Sequence, residues 1–341
     1  MILAALSCSP GEPDPVEPQQ PDSPIHTVGN RDDVQAATSF GLALVGGGRR
    51  CNEAYRWLIQ RAGGGDFVFL TTAFYSDEED EQFFADMQRL GKVDSISTLR
   101  VNTRIRADAV DVVDAIRQAE LIFIDGGDQT KYYDLWQGTR LHQALGQVAV
   151  EKKVPLGGTS AGMAILTGLS YIPLYEGVTS DEALANPYHA NMDAIKSGFI
   201  PIDLLAGILG DTHWSERNRC GRTIAFLARG IADGIVPVAQ ARAIACDEGT
   251  AVCIDGNARA VVFGREAADD FAYFLACRSI PDRCLAGQPL HWAEAVSIWK
   301  LKGMETGANG FDLAAWQGWG GTVHEVNVFN GVLSVDIQTP K

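Results

Sequence analysis

The sequence predicts an α/β fold: a mostly parallel central sheet with helices on both faces, followed by a β-rich C-terminal extension. Three observations carry this. From about residue 40 to 240, short apolar runs alternate with amphipathic segments. Several of these runs end in glycine clusters just before the next helical pattern, as parallel strands feeding right-handed crossovers do. Beyond 240 the rhythm changes to strand, turn, strand.

Taken in order, GLALV (41–45) reads as a strand ending in Gly46–Gly48, FVFLTTA (67–73) as a second and STLRVN (97–102) as a third. The acidic stretch 76–90 between them predicts a helix. In 108–119, Ala109, Val112, Val113 and Ile116 recur at helical spacing. LIFID (121–125) is a fourth strand, 130–150 a helix, and VPLGG (154–158) a fifth strand entering a tight turn and another helix. RAIACDEGTAVCID and NARAVVFG predict hairpin strands, and HEVNVFN with VLSVDIQ predicts a hairpin around Asn330-Gly331. The organisation expected is a signal or lipobox remnant at 1–8, a Pro-rich acidic linker at 9–36, an α/β body at 37–265 and the β-rich extension at 266–341. That extension carries Trp292, Trp299, Trp316 and Trp319, and its hairpin with exposed tryptophans either mediates a homodimer or covers the sheet.

Composition bounds the function. The chain has 341 residues, 46% hydrophobic and 21% charged, enough apolar material for a sizeable core. Its 43 acidic against 28 basic residues give a net charge of −15. That excludes nucleic-acid binding by bulk charge and favours a cationic or Arg-bearing substrate. No apolar run reaches the roughly 18 residues of a membrane span. Met1–Leu6 is apolar, Cys8 follows, and six of the fourteen prolines (Pro10, Pro13, Pro15, Pro18, Pro21 and Pro24) come next. The pattern resembles the end of a bacterial lipoprotein signal, with Cys8 lipidated and the protein exported to the periplasm, outer membrane or medium. Six further cysteines remain, of which Cys277 and Cys284 are expected to form a local disulfide, while Cys246 and Cys253 pair or are buried. With no CxxC, HExxH, G-x-G-x-x-G or G-K-[ST], neither a metal nor a cofactor is expected.

The chemistry centres on Gly158-x-Ser160-x-Gly162, which has the G-x-S-x-G pattern of a nucleophile elbow. A serine on a sharp strand-to-helix turn needs small neighbours, and the turn aims the Ala161 N–H at a developing oxyanion. Ser160 acting only as a helix cap is the plainer alternative. Of six histidines, His26, His142 and His189 fall in linker, helix and loop. His213 follows a short apolar strand just before an Arg-rich helix, where active-site groups converge in parallel sheets. Asp247 and Glu248 end another strand, and either could orient the imidazole. In Gly126-Gly127-Asp128-Gln129, the N–H of Gly127 or Asp128 is a second oxyanion donor and Gln129 a substrate ligand.

Four segments in order, GGDQ (126–129), GGTSAG (157–162), DTHWSERNRCGR (211–222) and DEGTA (247–251), resemble the S51 serine peptidases, the family of cyanophycinases and aspartyl dipeptidases. The resemblance spans roughly 40–264. It implies a flavodoxin-like or class I glutamine-amidotransferase-like sandwich, with Ser160 as nucleophile, His213 as base and Glu248 as acid, Asp247 being the runner-up. It further implies a substrate pocket made by Gln129, Asp211, Arg217, Arg219 and Arg222, the arginines gripping substrate carboxylates and Asp211 meeting a guanidinium. Thr212 stands where the family has Gln, and Trp214 where Phe is usual. The activity implied is serine exopeptidase cleavage of Asp-containing peptides, foremost cyanophycin to β-Asp-Arg. The alternatives are an aspartyl or isoaspartyl dipeptidase, an α/β-hydrolase esterase using His291 or His324, and a non-catalytic surface binding protein.

Overall fold

Apolar segments bounded by glycine, proline and capping residues become the elements of a computed structural model that describes residues 25–173, 176–192, 195–335 and 337. Cys8 and most of the Pro-rich segment lie outside these residues. The chain begins with β1 (His26–Gly29), β2 (Gly41–Val45), α1 (Asn52–Arg61), β3 (Phe67–Thr71), α2 (Asp77–Leu90) and β4 (Ser95–Arg100). It continues through α3 (Arg104–Ala107), α4 (Val110–Gln118), β5 (Leu121–Ile124), α5 (Gln129–Trp136), α6 (Arg140–Gln147), β6 (Leu156–Thr159) and α7 (Ala161–Leu166). Next come β7 (Leu169–Tyr171), α8 (Ser180–Ala185), β8 (Ile195–Ser197), β9 (Ile208–Asp211), α9 (Cys220–Ala232) and β10 (Arg242–Cys246). The last part is β-structure: β11 (Ala251–Asp255), β12 (Arg259–Phe263), β13 (Phe271–Cys277), β14 (Trp292–Lys302), β15 (Gly310–Asp312), β16 (Gln317–Trp319), β17 (Thr322–Phe329) and β18 (Val332–Leu333).

Among the described residues the strands form two mixed sheets. The first runs β1-β4-β3-β5-β6-β2-β11-β12-β15-β16, with β4, β3, β5, β6 and β2 parallel and the flanking pairs antiparallel. The second runs β18-β17-β14-β13-β10-β9-β7-β8, where β9 is parallel to both β7 and β10. Helices α1 and α2 cover the outer face of the first sheet through Tyr55, Leu58 and Met87. Helices α8 and α9 cover the second through Leu184, Ile224 and Phe226. Between the sheets one continuous core joins Leu44 and Val252 to Ile244 and Phe274, and α4 to α7 fill the rest of that layer. The α/β class with a β-rich C-terminal part is therefore present.

Four features depart from the sequence reading. The segment 9–36 is not linker to its end, because His26–Gly29 pairs with β4. The helix expected over 130–150 is broken at Gly138 and restarts with Thr139 capping α6. β10 and β11 do not form a hairpin; they belong to different sheets, and residues 247–250 carry the chain across. β13 to β18 extend both sheets, and of the four tryptophans Trp292 is fully buried and Trp316 nearly so, while Trp299 and Trp319 are half-buried.

Cys277 and Cys284 differ from expectation, whereas Cys246 and Cys253 are buried, one of the two outcomes expected. Among the described residues Cys51, Cys220, Cys246, Cys253, Cys277 and Cys284 carry free thiols. Cys246 faces the inter-sheet core and Cys253 the α1 layer, so their thiols lie on opposite sides of the first sheet. Cys284 lies against Arg229 and Asp233 of the α9 end, and burial pushes its thiol up to about 11.

The inter-sheet contact is testable. The rings of Phe274 and Phe311 stack across the sheets at 4.0 Å and are fully buried. Phe274→Ala is expected to cost about 3–5 kcal/mol, lowering the urea midpoint at unchanged slope. A loss below about 1 kcal/mol would mean that the two sheets are not joined by this contact.

Candidate active site

Four strand ends converge on one place: β6 and β2 from the first sheet, β9 and β10 from the second. Ser160 follows β6 directly with φ 51° and ψ −114°, a conformation that non-glycine residues rarely adopt. The elbow glycines are required by contact. A Cβ on Gly162 would strike the Ile124 carbonyl of β5, so α7 lies against the strands without side chains between. The Ser160 N–H donates to Val45 O at 3.0 Å, fastening the elbow to β2.

Ser160 Oγ lies 2.8 Å from His213 Nε2, and His213 Nδ1 lies 2.6 Å from Glu248 Oε1. The three residues singled out in the sequence thus form one hydrogen-bonded row. Asp247 does not join it. Its carboxylate is fully buried and accepts from the Ser215 and Phe271 N–H groups at 2.9 and 3.2 Å, which holds the sheet-crossing loop. His291 and His324 lie on the C-terminal β-structure, the latter bonded to Thr322, and neither is Ser160's partner.

The support beneath this row is the Gly46–Gly48 loop, which the sequence shows only as a glycine run ending a strand. The His213 N–H donates to Gly46 O and the Gly249 N–H to Gly47 O, both at 2.9 Å. Gly47 has φ 105°, and a Cβ there would collide with the imidazole. The signal was in the sequence as three glycines after a strand; its partner was not. Two more residues escaped notice. Glu216 Oε2 accepts from the Glu248 N–H at 3.2 Å, and the Tyr132 hydroxyl donates to Gly126 O at 2.5 Å, pinning the Gly-Gly-Asp turn.

A cavity of about 150 Å³ opens beside Ser160 and His213, with Gly127, Gln129, Arg217, Arg219 and Arg222 among its walls. Gln129 Nε2 donates to Tyr171 O at 3.2 Å, while Asp128 caps α5 through the Thr130 N–H. Asp211 differs from expectation: it is buried and already accepts from Arg222 Nε, Thr223 Oγ1 and the Thr212 N–H at 3.0, 2.7 and 2.9 Å. A carboxylate so saturated does not meet a substrate guanidinium; it anchors the arginines. Burial alone would push Asp211 up, but Arg222 and Arg219 hold it below the usual carboxylate range. Arg219 donates to Thr212 O at 2.7 Å and to its hydroxyl at 3.2 Å, and burial brings its guanidinium down to about 10, still charged at neutrality. Arg217 is exposed at the cavity mouth. Trp214 is buried against Tyr273 and donates to Thr223 Oγ1 at 2.9 Å.

The sequence that builds this row of Ser160, His213 and Glu248 is similar, in part, to known proteins. The model of Peptidase family S51 matches residues 42–201. Over that span the chain is similar to peptidase family S51. The similarity supports a peptidase, and the matched span includes Ser160 but ends before His213 and Glu248. A cyanophycinase of Geminocystis herdmanii strain PCC 6308 is 28% identical over 245 residues, covering 67% of this chain and 85% of that protein. A cyanophycinase of Synechococcus elongatus is 30% identical over 194 residues, 55% of this chain and 57% of that one, so only just over half of that relative's length is spanned. Among solved structures, a peptidase from an acI-B1 Actinobacterium superposes with TM-score 0.48 at 20% identity, covering 79% of this chain and 96% of that one.

Two outcomes follow from the geometry. Burial lowers the His213 pKa below its ordinary 6.5, Arg217 and Arg219 add to this, and the Glu248 hydrogen bond opposes it. Since the neutral imidazole is the form that accepts a proton, the base is available at pH 7 and is lost as pH falls through that lowered value. An NMR titration of the His213 ring should place its midpoint below 6.5, and lower still in Glu248→Gln; a midpoint above 6.5 contradicts the burial argument. Separately, Gly47→Ala should slow acylation of Ser160 by a fluorophosphonate about 100-fold, because the methyl displaces the ring by roughly an ångström. An unchanged rate would show that the loop does not hold the ring.

Proposed function

We propose that this chain is a serine exopeptidase acting on Asp-containing peptides, with cyanophycin as substrate and β-Asp-Arg dipeptides as product. The observation that carries the reading is the unbroken hydrogen-bonded row from Ser160 Oγ through His213 to Glu248. His213 Nε2 takes the serine proton as Oγ attacks the peptide carbonyl, then delivers that proton to the leaving amine. Glu248 keeps the Nδ1–H tautomer and stabilises the imidazolium. The oxyanion is held by the Ala161 N–H together with that of Gly127 or Asp128. Water, activated by His213, then hydrolyses the acyl-enzyme.

Substrate choice follows from charge and size. Arg217 and Arg219 present guanidinium groups to a substrate carboxylate, a pairing that planar forks make well. A cavity of about 150 Å³ takes the end of a chain rather than its middle, which favours release of terminal units. The relatives named as cyanophycinases support the same substrate. The small cavity also suits a second reading, an aspartyl or isoaspartyl dipeptidase, with Thr212 in place of the family's Gln altering the pocket wall. Export with a lipid anchor at Cys8 belongs to the same proposal and rests on the N-terminal sequence pattern. Metabolic labelling with palmitate should mark the wild type and not Cys8→Ser.

The deciding experiment follows insoluble cyanophycin as it clears. Wild type is expected to release β-Asp-Arg, and Ser160→Ala to be slower by at least about 10⁴-fold. Hydrolysis of isoaspartyl dipeptides without clearing would select the second reading. Clearing by Ser160→Ala at the wild-type rate would overturn the nucleophile assignment.

A further inference from the structure

Two successive glycines follow Asp125 at the end of β5, and a peptide between two glycines resists rotation less than any other. Gly127 has φ 129°, a region that favours glycine. Gly126 touches the elbow: a Cβ there would lie 3.5 Å from that of Ser160. Gly127 lines the same cavity as Ser160. Among the described residues, neither the Gly127 nor the Asp128 N–H donates to another protein group, which leaves both for an incoming oxygen.

What holds this turn is Tyr132 of α5. Its hydroxyl reaches the Gly126 carbonyl oxygen at 2.5 Å and that of Asp125 at 3.0 Å. Two carbonyl oxygens brought to one point repel each other, and a proton shared between them offsets the repulsion. The ring is fully buried and stacks at 4.4 Å on Trp136, whose indole N–H donates to Val101 O at 2.8 Å. Asp125 is fixed from its other side. Its N–H donates to Leu70 O at 3.0 Å, and its carboxylate accepts from Thr71 Oγ1 at 3.1 Å and Tyr75 Oη at 2.8 Å. Burial, helped by the charge of Asp125, holds the Tyr132 phenol above its ordinary pKa of 10, so the hydroxyl keeps the proton it donates.

In a trans peptide the carbonyl and the N–H that follows it point in opposite directions. A Gly126 carbonyl turned to Tyr132 therefore turns the Gly127 N–H away from that hydroxyl. We infer that Tyr132 is a positioning residue for the oxyanion site: its hydroxyl keeps the Gly126–Gly127 peptide in the one orientation that presents the Gly127 N–H, together with that of Ala161, to the oxygen developing beside Ser160. Without the hydroxyl the peptide turns over, since two glycines oppose the rotation little and the crowded carbonyls are relieved by it. A carbonyl oxygen then stands where the oxyanion forms. The inference rests on the reading of Ser160 as nucleophile and deepens it by choosing Gly127 over Asp128, but it requires no particular substrate.

Tyr132→Phe tests this on the whole protein, because it keeps the ring and its stack on Trp136 and removes only the hydroxyl. A fluorophosphonate is the probe, its phosphonyl oxygen taking the oxyanion's place. Phosphonylation of Ser160 is expected to slow about 100-fold, the size of losing one oxyanion donor. The His213 ring should titrate as in wild type, since its bonds to Ser160 and Glu248 are untouched; a general loosening of the site would move that midpoint. In amide NMR spectra the Gly127 N–H should shift downfield when the wild type is phosphonylated, and much less in Tyr132→Phe. Equal rates in the two proteins, a downfield shift at Asp128 in place of Gly127, or a slower rate accompanied by a moved His213 midpoint would overturn the role given to Tyr132. Wild-type protein that takes no label would refute the nucleophile reading, and this inference with it. Failure to clear cyanophycin while the rates and shifts behave as expected would refute the polymer substrate alone and leave the role of Tyr132 standing.

Discussion

The contact between the Gly46–Gly48 loop and His213 is the constraint on which the site depends. The two sheets belong to different layers, and Ser160 stands on one while His213 and Glu248 follow strands of the other. What joins them is backbone: Gly46 O to the His213 N–H, the Gly46 N–H to Thr250 O, and Gly47 O to the Gly249 N–H, each 2.9 Å. A side chain anywhere in that seam would part the sheets' ends. The row Ser160–His213–Glu248 is therefore a property of how β2 ends, as much as of the three side chains themselves.

Charge organises the surroundings at two distances. Next to Ser160, Asp211 spends its carboxylate on Arg222 and Arg219, fixing guanidinium groups that would otherwise repel each other in a half-buried cavity. Buried ion pairs of this kind contribute placement more than stability, since desolvation offsets much of the attraction. Farther out, α2 contributes a run of carboxylates whose first members also cap that helix. Their location near a helix N-terminus is favourable for the macrodipole, so the acidic rim is compatible with a stable fold.

Much of this was legible in the sequence, and the limits have physical causes. The parallel half of the first sheet follows from apolar runs and helical spacing, and Ser160, His213 and Glu248 each stood at a strand end. Periodicity could not reveal the sheet crossing at 247–250, because a tight turn between two apolar strands reads as a hairpin whichever sheet the second strand joins. Asp211 looked like a ligand because local sequence does not disclose that Arg222, a few residues on, folds back to occupy it. Whether the tryptophans of the last segment cover a sheet or meet a partner was not legible, because local sequence does not show that two sheets close over Phe311 and Trp316. The Gly46–Gly48 loop was visible as a motif and illegible as a contact, since its partner lies more than a hundred residues away.

The central claim is that Ser160 is a nucleophile activated by His213. Peptide mapping after treatment with a fluorophosphonate tests it most directly. The account predicts a single adduct, on Ser160, that fails to form in His213→Ala protein over the same interval. Labelling at a different residue, or no labelling of the folded wild-type protein at neutral pH, would contradict it.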